Sequence, residues 1–419
     1  MRLMGASTHQ ASSLQLATVN PLALATSTCP PGSSIGLDLY GREFRFDPFD
    51  AYEAQLVTNP NLLIFGQIGR GKSALVKGLI YRALLRGQAA LVVDPKGEYV
   101  ELARVLGGSV IALKPGGSLR LNPLDAALSD GGSESKAELL SERLGLLASL
   151  LRSSLGRRLN PAELLALELA VEEVSVNTNP TIPLVVAALL RPSPEAARGS
   201  ISTVTQLTAD GRDLGLGLRR LVSGDLRGMF DAQTSRSIDM SAALVVVDVS
   251  ATYDSDAMGL VMICVLAFLQ SRSKQGPRRR SLLVVDEAWA LLRERPIAEW
   301  LQASWKLARS RGLANIAVLH RVSDLLVSGG AREAVSGIAK GLLADSETRI
   351  LYAQPRSELE TVRELLGLGD HEAELLASLS RGRALWSIGT QLYAVQHCLQ
   401  AAERSWSDTD AVMRSMTQG

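Results

Sequence analysis

Few folds accommodate the stretch from Leu62 to Leu85. Leu62-Leu63-Ile64-Phe65 is a short apolar run suited to a buried strand. Gly66 to Ser73 then spell G-x-x-x-x-G-K-S, and Ala74 to Leu85 place apolar residues at helical spacing. Strand, glycine-rich loop and helix in this order form a phosphate cradle, the P-loop. Its glycines let successive backbone N–H groups curl around phosphates, here those of Gly66, Gln67, Ile68, Gly69, Arg70, Gly71, Lys72, Ser73 and Ala74. The helix start adds the positive end of its dipole. Lys72 is expected to reach the β- and γ-phosphates and the Ser73 hydroxyl to hold Mg²⁺, so the cofactors expected are ATP and Mg²⁺.

The remaining composition narrows the class. A chain of 419 residues holds one large domain with an insertion, or two domains. A formal net charge of +1 provides no global field toward nucleic acid or anionic membrane, although a local basic groove stays open. Cys29, Cys264 and Cys398 are odd in number and widely spaced, with neither metal-ligand spacing nor a disulfide framework, which suits a reducing cytoplasm. The longest apolar run, Ala257 to Leu269, is too short for a bilayer-spanning helix, and no secretory signal is expected at the N-terminus.

Residues 1–34 are rich in Ser, Thr and Pro and are expected to be disordered or loosely attached. Ile35 to Tyr40 and Glu43 to Phe46 alternate as a hairpin. After the P-loop helix, Ala90 to Val93 form a β-rich run ending in Asp94-Pro95-Lys96-Gly97-Glu98-Tyr99. At the carboxyl end of a strand Asp94 falls on the ligand edge of an α/β sheet; it is either a nucleotide-site residue or a turn former before proline. Residues 35–132 are thus the first part of a core. From 133 to 228 the β pattern gives way to amphipathic helices, Lys136 to Arg152 and Pro161 to Val176, then shorter ones punctuated by Pro180, Pro183, Pro192 and Pro194, an all-helical insertion.

The core resumes over residues 229–402. Ala243 to Val249 is a buried strand, followed by a helix and a loop carrying Arg272, Lys274, Arg278, Arg279 and Arg280. That loop precedes a strand, hence lies away from the nucleotide; a solvated face or a phosphate-backbone contact would both explain it. Ser281 to Val285 then end in Asp286-Glu287, the Walker B arrangement. Asp286 is expected to hold Mg²⁺ through water, and Glu287 to polarise the attacking water. Another strand, Asn315 to Leu319, ends at His320, and Ala384 to Val395 close as a hairpin around Gly389-Thr390. His9, His371 and His397 have no motif around them and read as surface or packing residues. Residues 403–419 read as a flexible tail.

The P-loop, the D-P-K-G-E-Y segment from Asp94, Asp286-Glu287-Ala288-Trp289 and Arg381-Gly382-Arg383-Ala384-Leu385 together resemble the HerA/FtsK superfamily of P-loop ATPases, and within it the VirB4/TraC-like ATPases of conjugation and type IV secretion, especially the short actinobacterial forms. The resemblance implies an α/β RecA-like fold of the additional-strand, catalytic-glutamate class with the helical insertion. It also implies a hexameric ring with an arginine supplied in trans; Arg309 and Arg311 match the arginine-bearing stretch, each also readable as a helix-end cation. Longer VirB4 proteins carry a large N-terminal docking domain, whereas about sixty residues precede this P-loop strand. The family's Gln at the end of the strand after Walker B is replaced by His320, either a γ-phosphate sensor or a plain substitution. The expected function is an ATP-hydrolysing motor for conjugative transfer or type IV secretion. The expected setting is cytoplasmic or peripheral at the inner membrane face, with membrane-embedded secretion or conjugation proteins as partners and DNA left open. The rivals are a DNA-translocating HerA/FtsK-like or coupling-protein ATPase and a nucleotide-dependent assembly protein with weak turnover.

Overall fold

Eleven strands form one sheet in the order β2-β1-β11-β10-β9-β3-β8-β7-β4-β6-β5. The strands are β1 (Ser33–Asp38), β2 (Glu43–Phe46), β3 (Leu62–Phe65), β4 (Ala89–Asp94), β5 (Ser109–Ala112), β6 (Leu244–Asp248), β7 (Ser281–Val285), β8 (Leu313–Leu319), β9 (Thr348–Leu351), β10 (Arg383–Ile388) and β11 (Gln391–His397). The computed structural model describes residues 29–125, 136–176, 179–199, 202–273, 279–307, 309–325, 337–338 and 341–407. From β9 to β5 all neighbours are parallel, and β10, β11, β1 and β2 add an antiparallel flank. Strand β8 lies between β3 and β7, so an additional strand separates the P-loop strand from the Asp-Glu strand, as expected.

Parallel strands covered on both faces need apolar residues at every position. That is why Leu62 to Phe65, Ala90 to Val93 and Leu282 to Val285 read as unbroken hydrophobic runs. Ile64, Val92, Val246 and Val284 face one core with the P-loop helix α2 (Lys72–Leu85). Phe65, Val93, Val247 and Val285 face the other core with the later helices. Helix α1 (Pro48–Glu53) is short and was not anticipated; Asp47 caps it, accepting from Phe49 N at 2.9 Å, with Pro48 at its first position. Helix α3 (Val100–Val105) joins β4 to β5.

Between β5 and β6 all regular elements among the described residues are helical: α4 (Lys136–Leu155), α5 (Pro161–Ser175), α6 (Ile182–Leu190), α7 (Pro194–Gly199) and α8 (Val204–Val222). The expectation of shorter helices after α5 is corrected by α8, whose 19 residues exceed the 15 of α5. Its glycines lower helix propensity, yet a Cβ at Gly211 would strike the Leu189 backbone and one at Gly215 the Leu190 side chain. They are there for close packing against α6.

Two boundaries also shift. Strand β1 begins at Ser33, inside the segment expected to be loose. The end of the chain is not free from residue 403: Glu403 is fully buried, α14 (Arg404–Ser407) packs on α2, and Lys77 Nζ donates to the Trp406 carbonyl at 3.0 Å. The sequence there is polar, but Glu403 has a buried partner in Arg82. Residues 1–28 and 408–419 lie outside the described residues. Between these points run α9 (Met258–Ser273), α10 (Trp289–Leu292), α11 (Arg295–Leu307), α12 (Leu359–Leu366) and α13 (Asp370–Ser378).

Candidate nucleotide site

The loop from Gly66 to Gly71 connects the carboxyl end of β3 to the start of α2. Gly69 (φ 78°) and Gly71 (φ 107°) adopt left-handed backbone, where a side chain would be strained. Gly71 is the N-cap of α2, so the free N–H groups of Lys72, Ser73 and Ala74 point out of the helix start. Lys72 is buried, and burial lowers its ammonium pKa. Its Nζ donates to the carbonyls of Gly66 (2.5 Å) and Gln67 (3.1 Å), groups that anionic phosphates would outcompete. Arg70 Nη2 donates to Gln67 Oε1 at 3.0 Å. Ile68 stands exposed at the loop tip. Beside the start of α2 opens a cleft of about 390 Å³ lined by Gly71, Ala74, Arg381, His397 and Leu399 among others.

At the end of β7, Asp286 and Glu287 lie almost fully buried. Asp286 Oδ1 accepts from the Glu287 amide at 2.9 Å. Burial first, then the neighbouring Glu287 charge, pushes the Asp286 pKa up to about 6. A buried carboxylate on the same sheet edge as a hydroxyl-bearing helix start offers the kind of oxygen donors Mg²⁺ uses when phosphates supply further ligands. Ser73 and Asp286 therefore fit as its protein ligands.

Glu287 is in left-handed backbone (φ 52°), one of two non-glycine residues with positive φ among those described. Such strain persists only where surroundings enforce it. Here Lys96 Nζ lies 2.5 Å from Oε1, His320 Nε2 lies 2.7 Å from Oε2, and the Trp289 indole N–H donates to Oε2. Burial would raise the Glu287 pKa, but the His320 and Lys96 hydrogen bonds outweigh it and hold the carboxyl at about 2. Both oxygens of the expected water-activating group are thus engaged.

The structure brings together Lys72, Ser73, Asp286, Glu287 and His320 at the carboxyl edge of β3, β7 and β8. Asp94 lies on the same edge, but its oxygens accept from Lys96 N (3.3 Å), Glu98 N (3.1 Å) and Tyr99 N (2.8 Å), so the turn accounts for it. Burial raises its pKa to about 7. Arg309 and Arg311 do not join this site. They precede β8, at the opposite end of the strands; Arg311 pairs with Glu142 at 2.5 Å and Arg309 donates to the Thr58 carbonyl at 3.5 Å. Of the basic loop before β7, Arg280 pairs with Glu53, while Lys274 and Arg278 lie outside the described residues.

Four site residues were missed. Lys96 and Trp289 sat inside motifs already quoted, but nothing local says that they converge on Glu287. Tyr352 directly follows β9 and His397 ends β11, and only tertiary contact reveals them. His397 is not a bland packing residue, since it bonds Tyr352 and Trp386.

A strained Asp-Glu strand end facing a glycine loop and its lysine, with one strand between, defines a P-loop NTPase of the RecA-like α/β type. Residues 50–115 match an AAA-like domain family, and residues 228–393 match the TraG P-loop domain. Protein TraC of Escherichia coli (strain K12) is 23% identical over 362 residues, 85% of this chain and 39% of TraC. The chain therefore spans well under half the length of that relative. The structure of VirB4 of Thermoanaerobacter pseudethanolicus superposes with a TM-score of 0.71 at 25% identity, covering 90% of this chain and 99% of that one. The plasmid coupling protein TrwB in complex with ADP and Mg²⁺ shares the fold at a TM-score of 0.56 and 17% identity, over 90% and 93% of the two chains. By these matches the chain is similar to the VirB4/TraC-like P-loop ATPases. Among the described residues, no helix is long and apolar enough to cross a membrane.

Proposed function

We propose that this chain is the Mg²⁺-dependent ATP-hydrolysing motor of a conjugative-transfer or type IV secretion apparatus. The observation that supports it most is the convergence of Lys72, Ser73, Asp286 and Glu287 on one sheet edge. In this reading the amides from Gly66 to Ala74 cradle the phosphates, and Lys72 leaves its loop carbonyls for the β- and γ-phosphates. Ser73 and Asp286 would hold Mg²⁺, which would neutralise charge on the phosphates. The cleft beside Gly71 takes the nucleoside end. Glu287 orients and deprotonates the attacking water once Lys96 releases Oε1, or His320 and Trp289 release Oε2, and His320, freed, senses the γ-phosphate. The working form is a homo-oligomeric ring, a hexamer, in which Arg309 or Arg311 serves a neighbouring subunit's site, since neither reaches its own. The setting is cytoplasmic, at the inner membrane face, against membrane-embedded transfer proteins. Mg²⁺-dependent ATP turnover that disappears in Glu287→Gln tests the reading.

One observation favours a second reading. With both oxygens of Glu287 engaged, an isolated chain would bind nucleotide and turn it over weakly, as an assembly protein would. ATP-dependent oligomerisation with turnover equal to that of Glu287→Gln would select it.

A further inference from the structure

The antiparallel flank reaches the phosphate loop through a directed chain of hydrogen bonds. Trp386 Nε1 lies 2.9 Å from His397 Nε2, His397 Nδ1 lies 2.8 Å from the Tyr352 hydroxyl, and that hydroxyl lies 3.1 Å from the Gly71 carbonyl. Only one assignment of protons satisfies all three contacts. An indole N–H can only donate, so His397 Nε2 accepts. The neutral ring then carries its proton on Nδ1 and donates to the Tyr352 oxygen. The Tyr352 O–H is left to donate to Gly71.

Tyr352 also touches the other end of the loop. A Cβ at Gly66 would collide with Tyr352 Cβ, so the ring lies against the first glycine while its hydroxyl holds the last. Backbone contacts follow the same route: Gly382 N donates to the Arg70 carbonyl at 3.0 Å, and His397 N to the Gly382 carbonyl at 2.8 Å. Tyr352 and Trp386 are fully buried. The Gly71 peptide is the left-handed residue that sets the direction of the first N–H groups of α2.

We propose that Tyr352 and His397 are positioning residues for nucleotide binding: through the Gly71 carbonyl they hold the phosphate loop in its binding shape while the site is empty. This rests on the reading of the loop as a phosphate site. Preorganisation of this kind raises affinity by removing the cost of ordering the loop at the moment of binding.

The test uses the full chain with a fluorescent ADP analogue, together with amide hydrogen exchange of residues 66–73 in the nucleotide-free protein. Tyr352→Phe removes only the hydroxyl. It should weaken ADP binding about 5–10-fold, roughly the value of one hydrogen bond, and speed exchange in the loop by a similar factor, with the melting temperature lowered by only a few degrees. His397→Asn keeps a donor at the Nδ1 position and should stay within about twofold of wild type, whereas His397→Gln, which mimics Nε2 instead, should fall with Tyr352→Phe. Wild-type ADP affinity and wild-type loop exchange in Tyr352→Phe would overturn the proposal. So would equal losses in both His397 variants accompanied by lowered melting temperatures. The failure of the wild-type chain to bind ADP, with loop exchange still faster in Tyr352→Phe, would instead sink the nucleotide reading and leave the brace in place.

Discussion

Replacing Arg82 or Glu403 should cost far more stability than two residues near a chain end ordinarily do. Arg82 Nη1 lies 2.5 Å from Glu403 Oε1 and Nη2 lies 3.2 Å from Oε2, with side-chain exposures of 8% and 0%. Arg82 Nε also donates to the Ser34 carbonyl at 2.7 Å, and Glu403 Oε2 accepts from Gln400 N at 2.7 Å. Arg82 sits in the last turn of α2, so this pair ties β1 and the end of the chain to the P-loop helix. Removing one member leaves an uncompensated buried charge, at about 3–5 kcal/mol; replacing both with apolar residues of similar volume is often close to neutral. Glu403→Gln belongs at the lower end, about 3 kcal/mol, because Arg82 keeps its carbonyl partners. Arg82→Met should cost as much or more, and Arg82→Met/Glu403→Leu should recover most of the loss. The assay is urea unfolding of the four proteins followed by tryptophan fluorescence, since Trp406 packs on Tyr81 of α2 with ring centroids 5.7 Å apart. Single variants within about 0.5 kcal/mol of wild type, or losses that simply add in the double variant, would refute the docking of this segment.

Other outcomes follow from the same geometry. Lys72→Ala should abolish detectable ADP binding with little change in stability, read by the fluorescent analogue and a thermal melt. Lys96→Met should raise the Glu287 pKa from about 2 toward the ordinary range and free one oxygen. Basal ATP turnover should then rise several-fold, and a fall to the Glu287→Gln level would instead place Lys96 in the productive site. His397 titrates at about 3, lowered by burial and by nearby Arg82, against about 6.5 when unfolded. The unfolded chain therefore binds the extra proton first on acidification. The stability is complete above pH ~6.5 and is lost as pH falls toward 3, about 2 kcal/mol of it by pH 5, a slope that His397→Asn should remove.

Much of this was legible because the chemistry of a P-loop is local. Phosphate contact needs glycines, a lysine and a helix start in immediate succession, and the Walker B acids must end an apolar strand. The parallel core was legible for a related reason, since strands buried on both faces cannot hide polar residues. What escaped depends on distance in sequence. The three groups on Glu287 come from the turn after β4, from α10 and from the end of β8, and no spacing rule links them. Glu403 looks like one more charge in a polar tail until Arg82 is seen opposite it. The glycines of α8 argue against a long helix until Leu189 and Leu190 occupy the space that they leave.

The most direct measurement compares ATP turnover and ADP binding in wild type and Glu287→Gln, with and without Mg²⁺. The expected result is Mg²⁺-dependent turnover in wild type, none above background in Glu287→Gln, and equal ADP affinity in both. Equal turnover in the two proteins, with binding intact, would contradict the assignment of Glu287 as the group that activates water.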